Sequence, residues 1–112
     1  MNSKDFDSER ERLNRLVLDN ANLNIKRFFA LDTATYAEGA LPVKTKEMLG
    51  LVSSMVLRCD DCVRYHLGKC HAEGVTDAEM QEIFSVALII GGSIVIPHLR
   101  RAVDYWLSLT TS

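Results

Sequence analysis

The chain has 112 residues, 47% of them apolar and 25% charged, which is the balance of a single globular domain spanning 1–112 and not of a disordered tail. Its formal net charge is -2, with Lys and Arg scattered, so a phosphate backbone meets no concentrated basic field and nucleic acid is not an expected partner. Three cysteines follow a charged N-terminus that does not read as a secretory signal. The expectation is therefore a cytoplasmic protein that uses thiols for redox chemistry or metal binding, not a disulfide framework.

In chain order, the apolar spacing and the few breakers predict an all-α, compact bundle of about six helices. The first covers about Ser3 to Leu18 and places Leu13, Leu16 and Val17 on one face. The second covers about Leu23 to Ala37, with Ile25, Phe28, Phe29 and Leu31 as its stripe and Gly39 as a left-handed stop. Pro42 marks the next turn. The third, about Val43 to Leu57, carries Met48, Leu49, Leu51, Val52, Met55 and Val56 and is expected to be a buried central helix. Glu47 is expected in its first turn, where the helix dipole alone would favour a negative charge.

The fourth helix is expected from Cys59 to about Ala72, closed by Gly74. Thr76 and Glu79 form a capping-box signature that opens a fifth, about Asp77 to Ile90, which ends at Gly91 and Gly92. Ser93 can cap a sixth, about Ile94 to Leu109, with Pro97 tolerated near its start. The apolar run Val86 to Ile96 is broken by Gly91, Gly92 and Ser93 and falls short of the roughly 20 residues of a membrane span. It reads as buried protein. It exceeds what so short a chain buries alone, and with the Met-rich third helix it suggests a homo-oligomer interface.

The segment Arg58-Cys59-Asp60-Asp61-Cys62-Val63-Arg64-Tyr65-His66 is the informative one, because it sets two thiols three residues apart at a helix N-terminus. Free N–H groups and the positive end of the dipole stabilise a thiolate there, and the second thiol is close enough to close a disulfide. His66 lies four residues after Cys62 and seven after Cys59, so the three side chains share a face and the imidazole can take or return a proton. Glu47 is remote in sequence. An antiparallel hairpin around a turn near Arg58 would bring it to His66 rather than to Cys59.

Other readings of these residues are weaker. A zinc site would add His66 and Cys70 or His71 to the Cys59 and Cys62 pair, and Cys59 to Cys70 spans about 16 Å of helix at about 1.5 Å per residue. Haem attachment needs a histidine where Val63 stands. Cys70 reads as a small buried hydrophobe, His71 as a charge near a helix C-terminus, and His98 as structural. Tyr65, Tyr105 and Trp106 read as core or interface.

Glu47, eleven intervening residues, Cys59, two more, Cys62, three more and His66 together resemble the signature of the alkyl hydroperoxidase D branch of the carboxymuconolactone decarboxylase family. The similarity runs from about Phe29 to Leu107 and includes Leu41-Pro42-Val43-Lys44-Thr45-Lys46-Glu47 and His71-Ala72-Glu73-Gly74-Val75-Thr76. It implies an all-α fold, assembly into homo-oligomers such as trimers or hexamers, and a site near a subunit interface. It also implies an antioxidant peroxidase or disulfide reductase cycle. In that cycle Cys62 attacks a hydroperoxide and becomes a sulfenic acid, and Cys59 resolves it as a disulfide. Glu47 and His66 match the family's proton relay. No metal or organic cofactor is implied; an external dithiol or reductase supplies electrons.

Two departures stand out. Asp61 occupies the place of a further family histidine, and Asp60 and Asp61 should raise the thiol pKa values against the helix dipole, Arg58 and Arg64. The family's founding member is built of two similar halves, of which this chain matches one. The alternatives are a lyase acting on a small cyclic carboxylate through Glu47 and His66, and a non-catalytic redox sensor.

Overall fold

The computed structural model describes residues 2–110, and within them the chain is all-helical. The helices are α1 (Ser3–Asp19), α2 (Leu23–Thr35), α3 (Val43–Val56), α4 (Asp60–Ala72), α5 (Asp77–Gly91) and α6 (Ile96–Thr110), with a 3₁₀ turn at Ser93–Val95. Asn2, Asn22 and Thr76 accept first-turn backbone N–H groups and start α1, α2 and α5. At α5 the reciprocal Thr76–Glu79 capping box is complete. Ser93 makes no capping bond. It opens the 3₁₀ turn, and α6 begins two residues later than that residue as cap would suggest.

Two turns of the same design bracket α4. At its end Gly74 has a φ of 80°, with Val75 N–H donating to Cys70 O and Gly74 N–H to His71 O, the left-handed helix stop that glycine accepts without strain. At its start Arg58 takes the equivalent place with a φ of 60°, and Cys59 N–H donates to Ser54 O while Arg58 N–H donates to Met55 O. A left-handed conformation costs a residue with a side chain about 1–2 kcal/mol. α3 and α4 are thereby joined by a minimal turn, and Cys59 is held from both sides.

The core lies between α3, α4, α5 and α6, where Leu51, Met55, Leu67, Cys70 and Met80 are fully buried. Trp106 Nε1 donates to Asp77 Oδ1 at 2.8 Å and ties α6 to the start of α5. α1 leans on α6 through Phe6, edge-on to Tyr105, and on α4 through Arg10, 4.0 Å above the Tyr65 ring.

Several expected faces are not covered within one chain. Phe6 is the buried residue of α1, while Leu13, Leu16 and Val17 are exposed. α2 buries none of its residues, and Phe28 is 70% exposed. It ends at Thr35, well before Gly39, which is not in the left-handed region. In the Val86–Ile96 run, Ala87 and Val95 are buried but Ile89 is 84% exposed. That run is amphipathic at the surface of one chain, which corrects the reading of it as buried protein. No helix of the described residues is long and apolar enough to cross a membrane.

Candidate active site

The hairpin of α3 and α4 brings Glu47 to His66. Glu47 is the fifth residue of α3, so it lies beyond the first turn and the dipole does not account for it. It is buried and its Oε1 lies 2.8 Å from His66 Nδ1, nineteen residues away in sequence. A carboxylate can only accept, so Nδ1 carries the hydrogen and Nε2 presents its lone pair outward. Two tyrosines frame the ring: Tyr36 at 5.5 Å between centroids and Tyr65 at 5.1 Å, edge-on.

The thiols sit one turn earlier. Cys59 is the N-cap of α4 rather than its first residue, and its Sγ accepts the Cys62 N–H at 3.3 Å. This is the interaction expected of free amides at a helix start, directed to the first of the two sulfurs. Cys62 is exposed and shares with His66, Tyr65 and Asp32 the wall of a cavity of about 290 Å³. Its thiol is pushed up to about 11 by its hydrogen bond to Cys59, by partial burial, and by negative charge at Cys59 and Asp61. At neutral pH it holds its proton. The expectation that the acidic pair opposes the dipole holds for Asp61 but not for Asp60.

Asp60 is turned away from the thiols into a second carboxylate–histidine pair. Its Oδ1 lies 2.7 Å from His98 Nδ1 and its Oδ2 accepts Arg101 Nε at 2.7 Å. Burial raises the Asp60 carboxyl, but the hydrogen bonds and charges of His98 and Arg101 outweigh it and hold the group below the usual carboxylate range. His98 therefore anchors α6 to the start of α4. Cys70 is fully buried and its thiol is pushed up to about 12, chiefly by burial, the behaviour of a small hydrophobe. His71 stands edge-on to Trp106 at 5.8 Å.

Sequence reasoning missed Tyr36, Gly50 and the His98–Asp60–Arg101 cluster. A Cβ on Gly50 would lie 2.8 Å from His66 Nε2 and 2.8 Å from Tyr36 Oη, so this glycine makes room for both. It stands in an apolar helix with no turn nearby, and that placement was its one sequence signal.

Fold and site together define an all-helical protein with a vicinal thiol pair at a helix start beside a buried Glu–His pair. The chain belongs to the carboxymuconolactone decarboxylase family, whose model matches residues 24–105. It is similar to the Thermotoga maritima protein TM1620, with 56% identity over 96% of this chain and 95% of that one and a TM-score of 0.94. A second crystal structure of that protein aligns with 54% identity, covering 96% of this chain and 91% of that one, at a TM-score of 0.92. It is described as a member of the same family for which a part in the antioxidative response has been suggested. The Legionella pneumophila family protein lpg0406 shares the fold, with a TM-score of 0.77 and 20% identity over 96% of this chain and 92% of that one. Uncharacterized protein 4 of the cox locus of Paracoccus denitrificans is 28% identical over 67% of this chain and 68% of its own length.

Proposed function

We propose that this protein is a dithiol peroxidase that reduces hydroperoxides through a Cys59–Cys62 disulfide cycle. The observation that carries the reading is that Cys62 and His66 open on one cavity while Glu47 holds the far side of the imidazole. Cys62, four residues before His66 on the same helix face, gives its proton to Nε2 as its sulfur attacks. The Glu47 carboxylate stabilises the imidazolium. The sulfenic acid formed on Cys62 condenses with the Cys59 thiol, releasing water and leaving a disulfide. An external dithiol or reductase restores both thiols by exchange.

The neighbour's suggested antioxidative role agrees with this chemistry. The exposed apolar residues of α2 and α5, among them Phe28, Leu31, Ile89 and Ile90, support assembly of several copies, as a trimer or hexamer. A monomer by sedimentation would remove that part of the proposal. The chemistry is tested by following hydroperoxide consumption with dihydrolipoamide as reductant. The expected result is turnover by the native protein and none by Cys62→Ser. Turnover that survives the loss of Cys62 would refute the cycle and favour acid–base chemistry by Glu47 and His66 alone.

A further inference from the structure

When a thiol cuts a hydroperoxide, the sulfur takes the outer oxygen and the inner oxygen leaves as an alkoxide. That charge needs hydrogen-bond donors waiting in place. Two polar atoms converge on one point over Gly50: His66 Nε2 and Tyr36 Oη, each 2.8 Å from where a Cβ would stand. Among the described residues neither atom has a hydrogen-bond partner, and neither is a sealed, unsatisfied atom. Both therefore reach open space. That space is a cavity of about 410 Å³ with Leu49 and Leu57 among its apolar walls. The His66 ring also borders the cavity that holds Cys62.

Tyr36 is placed deliberately although its helix buries nothing. Lys46 Nζ donates to Thr35 O at 2.8 Å and to Ala37 O at 2.6 Å, gripping the chain on both sides of Tyr36 and fastening it to α3. The phenol is kept protonated: burial first, then the charges of Glu47, Asp32, Tyr65 and Cys62, raise it above the usual tyrosine range. It is a donor throughout the physiological pH range.

We propose that Tyr36 is a catalytic residue of this site, whose hydroxyl joins His66 Nε2 over Gly50 to hold the leaving oxygen of a small alkyl hydroperoxide. The inference rests on the peroxidase reading and extends it to leaving-group stabilisation by Tyr36. The Cys62 proton passes to His66 Nε2, the S–O bond forms as the O–O bond breaks, and the alkoxide takes that proton back while Tyr36 donates a hydrogen bond to it. One thiol and one hydroperoxide give one sulfenic acid and one alcohol. The alkyl group lies against Leu49 and Leu57.

The test is the rate of a single Cys62 oxidation by a series of oxidants of falling leaving-group basicity, from tert-butyl hydroperoxide to peracetic acid. Tyr36→Phe keeps the ring beside His66 and removes only the donor. The expected loss is about 100-fold for tert-butyl hydroperoxide and less than about threefold for peracetic acid, whose carboxylate needs little help. Gly50→Ala, which fills the point of convergence, should show the same selectivity in protein whose helical circular dichroism is intact. A loss equal across the series, or no loss, would overturn the role of Tyr36 while leaving the peroxidase reading in place. A native protein that none of these oxidants oxidises would overturn both.

Discussion

The molecule contains two carboxylate–histidine pairs of nearly the same geometry, Glu47–His66 at 2.8 Å and Asp60–His98 at 2.7 Å, both through Nδ1. They differ in what surrounds them. Glu47 and His66 are both buried and, among the described residues, neither is ion-paired with a guanidinium, and the imidazole borders a cavity of about 410 Å³. Asp60 is shared with Arg101, and the crevice beside it has no room for a water molecule. On the proposed function the same hydrogen bond makes a base in one setting and a brace in the other, and the deciding features are an ion-paired cation and an open space.

The largest effect should separate the two histidines directly. His66→Gln or Glu47→Gln is expected to lower kcat/KM for hydroperoxide by about 10²–10⁴-fold, the usual contribution of a general base, while His98→Gln stays within about threefold of native. Equal losses at His66 and His98 would erase the distinction. The two aspartates of the motif sharpen it further, because Asp60 is ion-paired with His98 and Arg101 while Asp61 has no ion pair among the described residues. Asp61→Asn should speed alkylation of Cys62 by iodoacetamide at pH 8 several-fold, and Asp60→Asn should leave that rate alone. In the native protein the Cys62 rate should climb about tenfold per pH unit past pH 9 without levelling near the ordinary cysteine value of about 8.5, because the thiol titrates at about 11.

The brace should show itself in stability instead. Asp60→Asn is expected to cost about 1 kcal/mol in denaturant unfolding at pH 7, since the pair is only partly buried. The Asp60 pKa is lower in the folded chain than in the unfolded one, so its contribution is present above the ordinary carboxylate value of about 3.9 and fades as pH falls through the folded value. The native and Asp60→Asn proteins should therefore converge in stability below about pH 4. The smallest effect concerns the two helix stops that bracket the motif: Arg58→Gly, which makes the first turn like that at Gly74, should stabilise the fold by up to about 1 kcal/mol.

The helices were legible in the sequence because their signals are local. The Thr76–Glu79 box, Gly74 and the Pro42 turn each act within a few residues. Glu47 and His66 were legible through their spacing from the cysteines and the family resemblance. Their contact was foreseen on the condition that α3 and α4 form a hairpin, a condition met by a turn that uses Arg58 where a glycine is the usual signal. The pairing of Asp60 with His98 spans 38 residues and that with Arg101 spans 41, and no periodicity encodes it. Tyr36 was illegible for a related reason: it lies at the end of a helix with no buried residue, and only the Lys46 grip and the gap at Gly50 give it a place. The apolar stripes of α1 and α2 were legible as stripes, but within one chain Leu13, Leu16, Val17, Phe28 and Leu31 stay exposed.

In the proposed cycle Cys62, and not Cys59, meets the oxidant. One equivalent of hydroperoxide added to reduced Cys59→Ser and Cys62→Ser proteins, with dimedone trapping and mass spectrometry, tests it most directly. The expected result is a trapped sulfenic acid at Cys62 in the first variant and none at Cys59 in the second. A trapped adduct at Cys59 in the second variant, with Cys62 unmodified in the first, would contradict it.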